Sequence, residues 1–575
     1  MPEQQRASWF SSSIVVFLLL SSICAILSLS SPSARTEEIK LQEYHAHNSS
    51  DDGGKNKQKI LVSEYVPNLA MLCVMVLGIT AMVILVIKRD DLTTRDHDYY
   101  SNSRHNIHRK ASLWSITAFF VGASIFHINY LIVEISCVSK WNHCGSDVIL
   151  SNSVQVVFQI VCLLFIGCET IICWIMKPLN FKSSLKVWYG LALVQAANFA
   201  IWFDSILQES GHRANENVGS FEAYFDFCDT TISNHTETTS EWCSKDSIKA
   251  QWFVLSIPFL FPITIEFSLL VSETFLDKII GSECEHENEA TENSSESMPL
   301  LSRVTTFLRS TYSTIMSNRW YIIADQNENP NAENVPAFRN TTGSKIFIMI
   351  SGIINVVYLL LVALVFLGYK IHNNSEIDDE WQKIEDGLAV YFLLYLLFLS
   401  GCCVVGILYF QTFRYQHSPT TFLEYLLLFA TSGLLLHSLK RLLVFTFPSL
   451  GGWNAVYFIL EILDMMQVIL QIVFYYYAKG VKLQLNNDGE NADNSTRVVF
   501  FKNIMIVMSI SNFAMWICNN FFNPEMEAHE TPSSYSIEHW TVFDNVVTPI
   551  AIFFRFNSAL LFWCIGRNIR LLVGN

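Results

Sequence analysis

The chain has 575 residues, of which 51% are hydrophobic and only 15% charged, whereas soluble domains carry roughly 25% charged residues. A formal net charge of −15 excludes nucleic acid as a general partner, because that needs a basic surface. The charges cluster in short connections between long apolar blocks, the composition of an all-α polytopic membrane protein.

Twelve apolar segments reach or approach spanning length, at about 9–31, 66–87, 112–137, 150–176, 187–208, 251–276, 345–368, 388–410, 421–446, 454–479, 500–521 and 540–566. Crossing about 30 Å of hydrocarbon takes ~20 residues, and a helix satisfies its own backbone there. The first segment, followed by Ser31, Pro32, Ser33 and Ala34, reads either as a cleaved signal peptide or as a retained helix. A lone Arg6 before it and the length of its apolar run favour the helix.

Lys88, Arg89, Arg95, Arg104, Arg109 and Lys110 lie in the second connection. Lys177, Lys182 and Lys186 lie in the fourth, Lys479 and Lys482 in the tenth, and Arg567 and Arg570 in the tail. By the positive-inside rule all of these are cytosolic, as are both termini. Lys440 and Arg441, near the outer end of the ninth segment, run against the trend, and snorkelling is the expected accommodation. Sequons at Asn48, Asn234 and Asn373 fall in outer loops and are the expected glycosylation sites. Cys137, Cys144, Cys228 and Cys243 also fall outside, where oxidising conditions favour pairing. Cys228–Cys243, within one loop, is the expected bridge.

Residues 277–344 open on an acidic run from Glu283 to Glu296 and read as a cytosolic linker. They separate an N-terminal half, 1–276, from a C-terminal half, 345–575, with six segments each. The halves match in order. Gln155 and Gln159 recur as Gln467 and Gln471, an offset of 312. Asn198 to Trp202 recur as Asn512 to Trp516, an offset of 314. Gly122 and His127 face Gly433 and His437, and Pro262-Ile263-Thr264-Ile265 resembles Pro549-Ile550-Ala551-Ile552. An even repeat inserts both halves the same way up, a parallel repeat typical of transporters and channels.

No glycine-rich phosphate loop, His-Glu-x-x-His pair or nucleophile elbow occurs, so no enzyme, metal or cofactor chemistry is expected. What remains is polar residues in apolar helices. Gln155, Gln159 and Asn198 form one set, and Gln467, Gln471 and Asn512 the second. An amide both donates and accepts, so these residues read either as interhelical hydrogen bonds or as the lining of a water chain. Their duplication favours the lining. Glu266 follows Pro262 by one turn. A carboxylate is costly in hydrocarbon, which makes Glu266 a candidate proton acceptor, with an ion pair as the alternative. Arg555 needs a partner, and Asp464, Glu461, Glu169 and Asp204 are the candidates. His127 and His437 are either titrating groups or satisfied packing residues.

These residues resemble the otopetrin proton channels. Trp188-Tyr189-Gly190-Leu191, continued by Asn198 to Trp202, is similar to the fifth span of that family. Pro258 and Pro262 through Glu266-Phe267-Ser268 resemble its sixth, a Pro-Phe-x-Ile-Glu-Tyr type of motif. Glu461, Gln467 and Gln471 are similar to its tenth, and Asn512 and Trp516 to its eleventh. Phe553-Phe554-Arg555-Phe556-Asn557-Ser558 resembles the Phe-Tyr-Arg-Phe-His-Ser type of motif in its twelfth. The resemblance implies two six-helix bundles per chain and a homodimer in the bilayer, with sterol lipid as a further partner. It also implies polar constrictions of Gln, Asn or Asp, and Tyr in each half. The Tyr positions are Phe267 and Phe554, and Asn557 stands where His is usual; phenylalanine cannot donate a hydrogen bond. The function expected is a proton-selective channel opened or modulated by extracellular acid. A proton-coupled secondary transporter of a small solute is the alternative.

Overall fold

The computed structural model describes, apart from isolated positions, residues 65–95, 104–141, 146–177, 179–181, 184–216, 263–275, 342–372, 379–410, 414–415, 422–446, 453–479, 481–482, 491–522 and 537–573. Long helices account for nearly all of them. In the N-terminal half these are α1 (Tyr65–Ile87), α2 (Arg104–Trp141), α3 (Ser146–Ile175), α4 (Leu185–Glu216) and α5 (263–275). In the C-terminal half they are α6 (Thr342–His372), α7 (Asp379–Phe410), α8 (Phe422–Thr446), α9 (Trp453–Lys479), α10 (Asn491–Phe521) and α11 (Ile537–Val573).

Among the described residues nine helices are long and apolar enough to cross a membrane, and each coincides with a predicted segment. The predicted span 187–208 is also helical, within α4. Gln195, Asn198 and Asp204 lower its hydropathy, and it is not among the nine. The protein is an all-helical polytopic membrane protein. Its apolar side chains point both ways: Leu77, Ile84, Leu164, Leu360 and Leu394 lie exposed, as a lipid-facing surface requires.

The helix packing repeats. In the first half α1 packs on α3 and α4, and α2 packs on α3. In the second, α7 packs on α9 and α10, and α8 packs on α9. Two small antiparallel ribbons repeat as well. β1 (Thr93–Arg95), just after α1, pairs with β2 (Leu179–Phe181) between α3 and α4. β3 (Arg414–Tyr415), after α7, pairs with β4 (Val481–Lys482) between α9 and α10.

Close approach of helices depends on matched glycines. A Cβ on Gly122 would lie 2.6 Å from Ile263 Cγ2, so the Ile263 side chain of α5 rests against the backbone of α2. A Cβ on Gly433 would lie 2.4 Å from Ile550 Cγ2, the same contact between α8 and α11.

Each half buries its own apolar core, Met75, Phe165, Ala197 and Phe267 in the first and Leu396, Val468, Phe474 and Phe554 in the second. The halves meet where α11 packs on α2 and α4. Phe119 lies 5.0 Å from Phe556 and 5.8 Å from Trp516 by ring centroids, an aromatic seam joining the bundles.

Candidate functional site

In the second half the predicted polar residues converge. Gln467 and Gln471 lie one turn apart on α9, and Gln467 donates to Gln471 Oε1 at 2.7 Å. Gln471 donates in turn to Asn512 Oδ1 of α10 at 3.0 Å, and Asn512 returns a bond to Gln471 Oε1 at 3.2 Å. Arg555 of α11 donates through Nη1 to Gln467 Oε1 at 2.9 Å and through Nη2 to Asp464 Oδ1 at 2.6 Å. Ser438 of α8 donates to the other Asp464 oxygen at 3.1 Å. One connected row thus runs Ser438, Asp464, Arg555, Gln467, Gln471, Asn512, and four helices contribute to it.

Of the four partners considered for Arg555, Asp464 is the one in contact. Glu461 instead meets Arg441 Nε at 2.8 Å. Arg441 is therefore held by an ion pair within the bundle, not by snorkelling as expected. His437 Nδ1 lies 3.5 Å from Thr548 Oγ1. His437, Ser438, Asp464, Asn519, Thr548 and Arg555, with apolar neighbours such as Leu434 and Met515, line a mixed cavity of about 60 Å³, room for a few waters.

The first half uses the same amides differently. Gln155 is half-buried and accepts from Asn68 of α1 at 2.7 Å. Gln159 is buried, its Oε1 2.7 Å from His127 Nδ1 of α2. Asn198 is not joined to either glutamine; it donates to Glu169 Oε1 of α3 at 2.5 Å. Asp204 lies half-buried on α4. Cys228, Cys243, Asn48, Asn234 and Asn373 lie outside the described residues.

A family model, Otopetrin, matches residues 221–556, which is more than half of the chain. The chain belongs to the otopetrin family. None of the curated proteins matches it. The match begins after α4 and runs through α5 into α11. Otopetrins are ion channels of the membrane.

The two positions where this otopetrin carries phenylalanine sit in the two cores. Phe267 and Phe554 are both fully buried, and the Arg555 guanidinium lies 5.5 Å from the Phe554 ring centroid. Glu266, beside Phe267, faces the seam between the halves, where Trp516 Nε1 donates to its Oε1 at 3.3 Å. Its second oxygen has no partner among the described residues.

Sequence reasoning missed a buried cluster behind Asn512. Tyr395 of α7 donates to Asn355 Oδ1 of α6 at 2.7 Å, and Asn355 donates to Ser511 Oγ at 3.1 Å. Tyr358 stacks on Tyr395 at 4.7 Å. Asn355 inside an apolar segment was the one available signal.

Proposed function

We propose that this otopetrin is a proton-selective channel of the plasma membrane, opened or modulated by extracellular acid and assembled as a homodimer. Its halves, 1–276 and 345–575, are joined by the cytosolic linker 277–344, and both termini face the cytosol. Protons pass along waters ordered by Gln155, Gln159 and Asn198 and by Gln467, Gln471 and Asn512, with Glu266 as a protonatable station.

The observation that carries this reading is the buried amide row of the second half, Gln467–Gln471–Asn512. Amides bind and orient water without fixing a charge. A proton hops between waters and needs no passage wide enough for a hydrated metal ion.

Whole-cell recording with external pH as the sole variable tests the reading. The expected result is an acid-evoked current whose reversal follows the proton equilibrium potential. Reversal that tracks Na⁺ instead rules out proton selectivity. Flux that saturates with a co-transported solute supports the coupled transporter.

A further inference from the structure

Resting on the proton-channel reading, a second buried carboxyl calls for explanation. Glu169 is 0% exposed, at the centre of a helix bundle, and is in no ion pair among the described residues. Its one donor is the amide of Asn198, itself 1% exposed. Among the described residues, the atoms of this pair left without a partner are Glu169 Oε2 and Asn198 Oδ1. Both are oxygens, and an amide oxygen can only accept. One turn along α4, Gln195 Oε1 is a third buried acceptor without a donor, while its Nε2 is used on the Ser272 carbonyl of α5 at 3.2 Å.

Orphaned buried polar atoms are rare and costly. Trp202 Nε1, one turn beyond Asn198 on α4, is a buried donor without a partner among the described residues, but the open atoms on Glu169, Asn198 and Gln195 are acceptors, and what completes them is a donor: a water, a hydronium ion or a proton on the carboxyl. The matching amide row of the second half is different, although Asn520 and Asn557 elsewhere in that half also have buried oxygens without a partner among the described residues. The amides Gln467, Gln471 and Asn512 are satisfied by one another and by Arg555, whose fixed positive charge stands in the row. Glu169 makes no ion pair among the described residues, and its hydrogen-bond donor is the neutral amide of Asn198.

The site also has a closed approach. Gly78 of α1 lets the Phe165 ring and Ala197 meet at one level, with an added Cβ 2.8 Å from the ring and 3.3 Å from Ala197. Phe165 lies one turn from Glu169 on α3, between it and the His127–Gln159 pair. Gln159 and Glu169 are ten residues apart on that helix, about 15 Å at 1.5 Å per residue. Two polar stations are thus separated by an apolar collar.

We propose that Glu169 and Asn198 form a proton-binding site in the N-terminal half, on the route that a proton takes past Phe165. A hydronium ion donates to Glu169 Oε2 and leaves as water; the carboxyl then returns the proton to a water on the far side. Asn198 holds the carboxylate between these transfers.

The test is Glu169→Gln in the full-length protein, with surface density measured alongside acid-evoked current. The expected result is a proton current lower by roughly tenfold or more at equal surface density, while Glu169→Asp retains part of it. Wild-type current in Glu169→Gln overturns the site without touching the channel reading; a wild type with no proton current overturns the channel reading itself. Should Glu169→Gln fail to reach the surface, Asn198→Ala keeps the carboxyl and removes its donor. The pH midpoint of the current should then move by about one unit, the worth of one hydrogen bond to a charged group. An unmoved midpoint counts against the proposal.

Discussion

Arg555 Nη2 lies 2.6 Å from Asp464 Oδ1, an ion pair in which the arginine is 1% exposed and the aspartate 12%. Removing one member of a buried pair strands the other charge, at about 3–5 kcal/mol. Asp464→Ala should therefore lower the thermal midpoint of the purified protein sharply. Replacing both residues by leucine should recover much of the loss. If Asp464→Ala unfolds at the wild-type temperature, the pair contributes little.

Repetition in sequence does not make the two glutamine stripes equivalent. Gln467 accepts from a guanidinium and is fully buried, whereas Gln155 accepts from the amide of half-buried Asn68. Gln467→Leu should cost about 1.5–3 kcal/mol and Gln155→Leu about 0.5–1.5 kcal/mol. Thermal unfolding of the two variants side by side checks the order, and equal shifts would contradict it.

The paired glycines make a steric prediction. Gly433→Ala must displace Ile550, including its backbone-proximal Cβ at 2.8 Å, and should cost about 1–3 kcal/mol by overpacking. Gly401→Ala meets nothing within 4 Å and should be neutral or stabilising by up to about 1 kcal/mol through helix propensity. Detergent-solubilised melting curves distinguish them.

Trp516→Phe should keep most of the ring packing against Phe119 and Phe556 but removes the donor to Glu266 Oε1. A buried carboxyl then loses its one hydrogen bond among the described residues, at about 1–3 kcal/mol. A clear fall in thermal midpoint is expected, and combining the change with Glu266→Leu should cancel most of it. Additive losses in the double variant would argue against the contact.

The membrane-crossing helices were legible because hydrocarbon imposes length and apolarity on each segment separately; nine segments could be drawn from local composition alone. The duplicated amides were legible for the same reason, as polar residues where few are tolerated. What could not be read was which helix lies against which. Gln155 meets Asn68, and Asn198 meets Glu169, ten residues along the helix from Gln159, rather than a glutamine, and the repeat pattern does not specify at which level two helices meet. The donors and acceptors of Asn355, Tyr395 and Ser511 come from three helices far apart in sequence, so no local spacing announces them. Arg555 was different: burial alone demanded an acid, and four candidates sufficed to include the right one.

The β1–β2 and β3–β4 ribbons tie together the connections at one end of each bundle, with Thr94 opposite Asn180 and Tyr415 opposite Val481. Backbone pairing of this kind acts as a clasp. Helix ends gripped by it cannot spread apart without breaking the clasp. A cysteine pair at positions 94 and 180, oxidised to lock the clasp, should leave acid-evoked current unchanged, and a lost current would show that the clasp has to open.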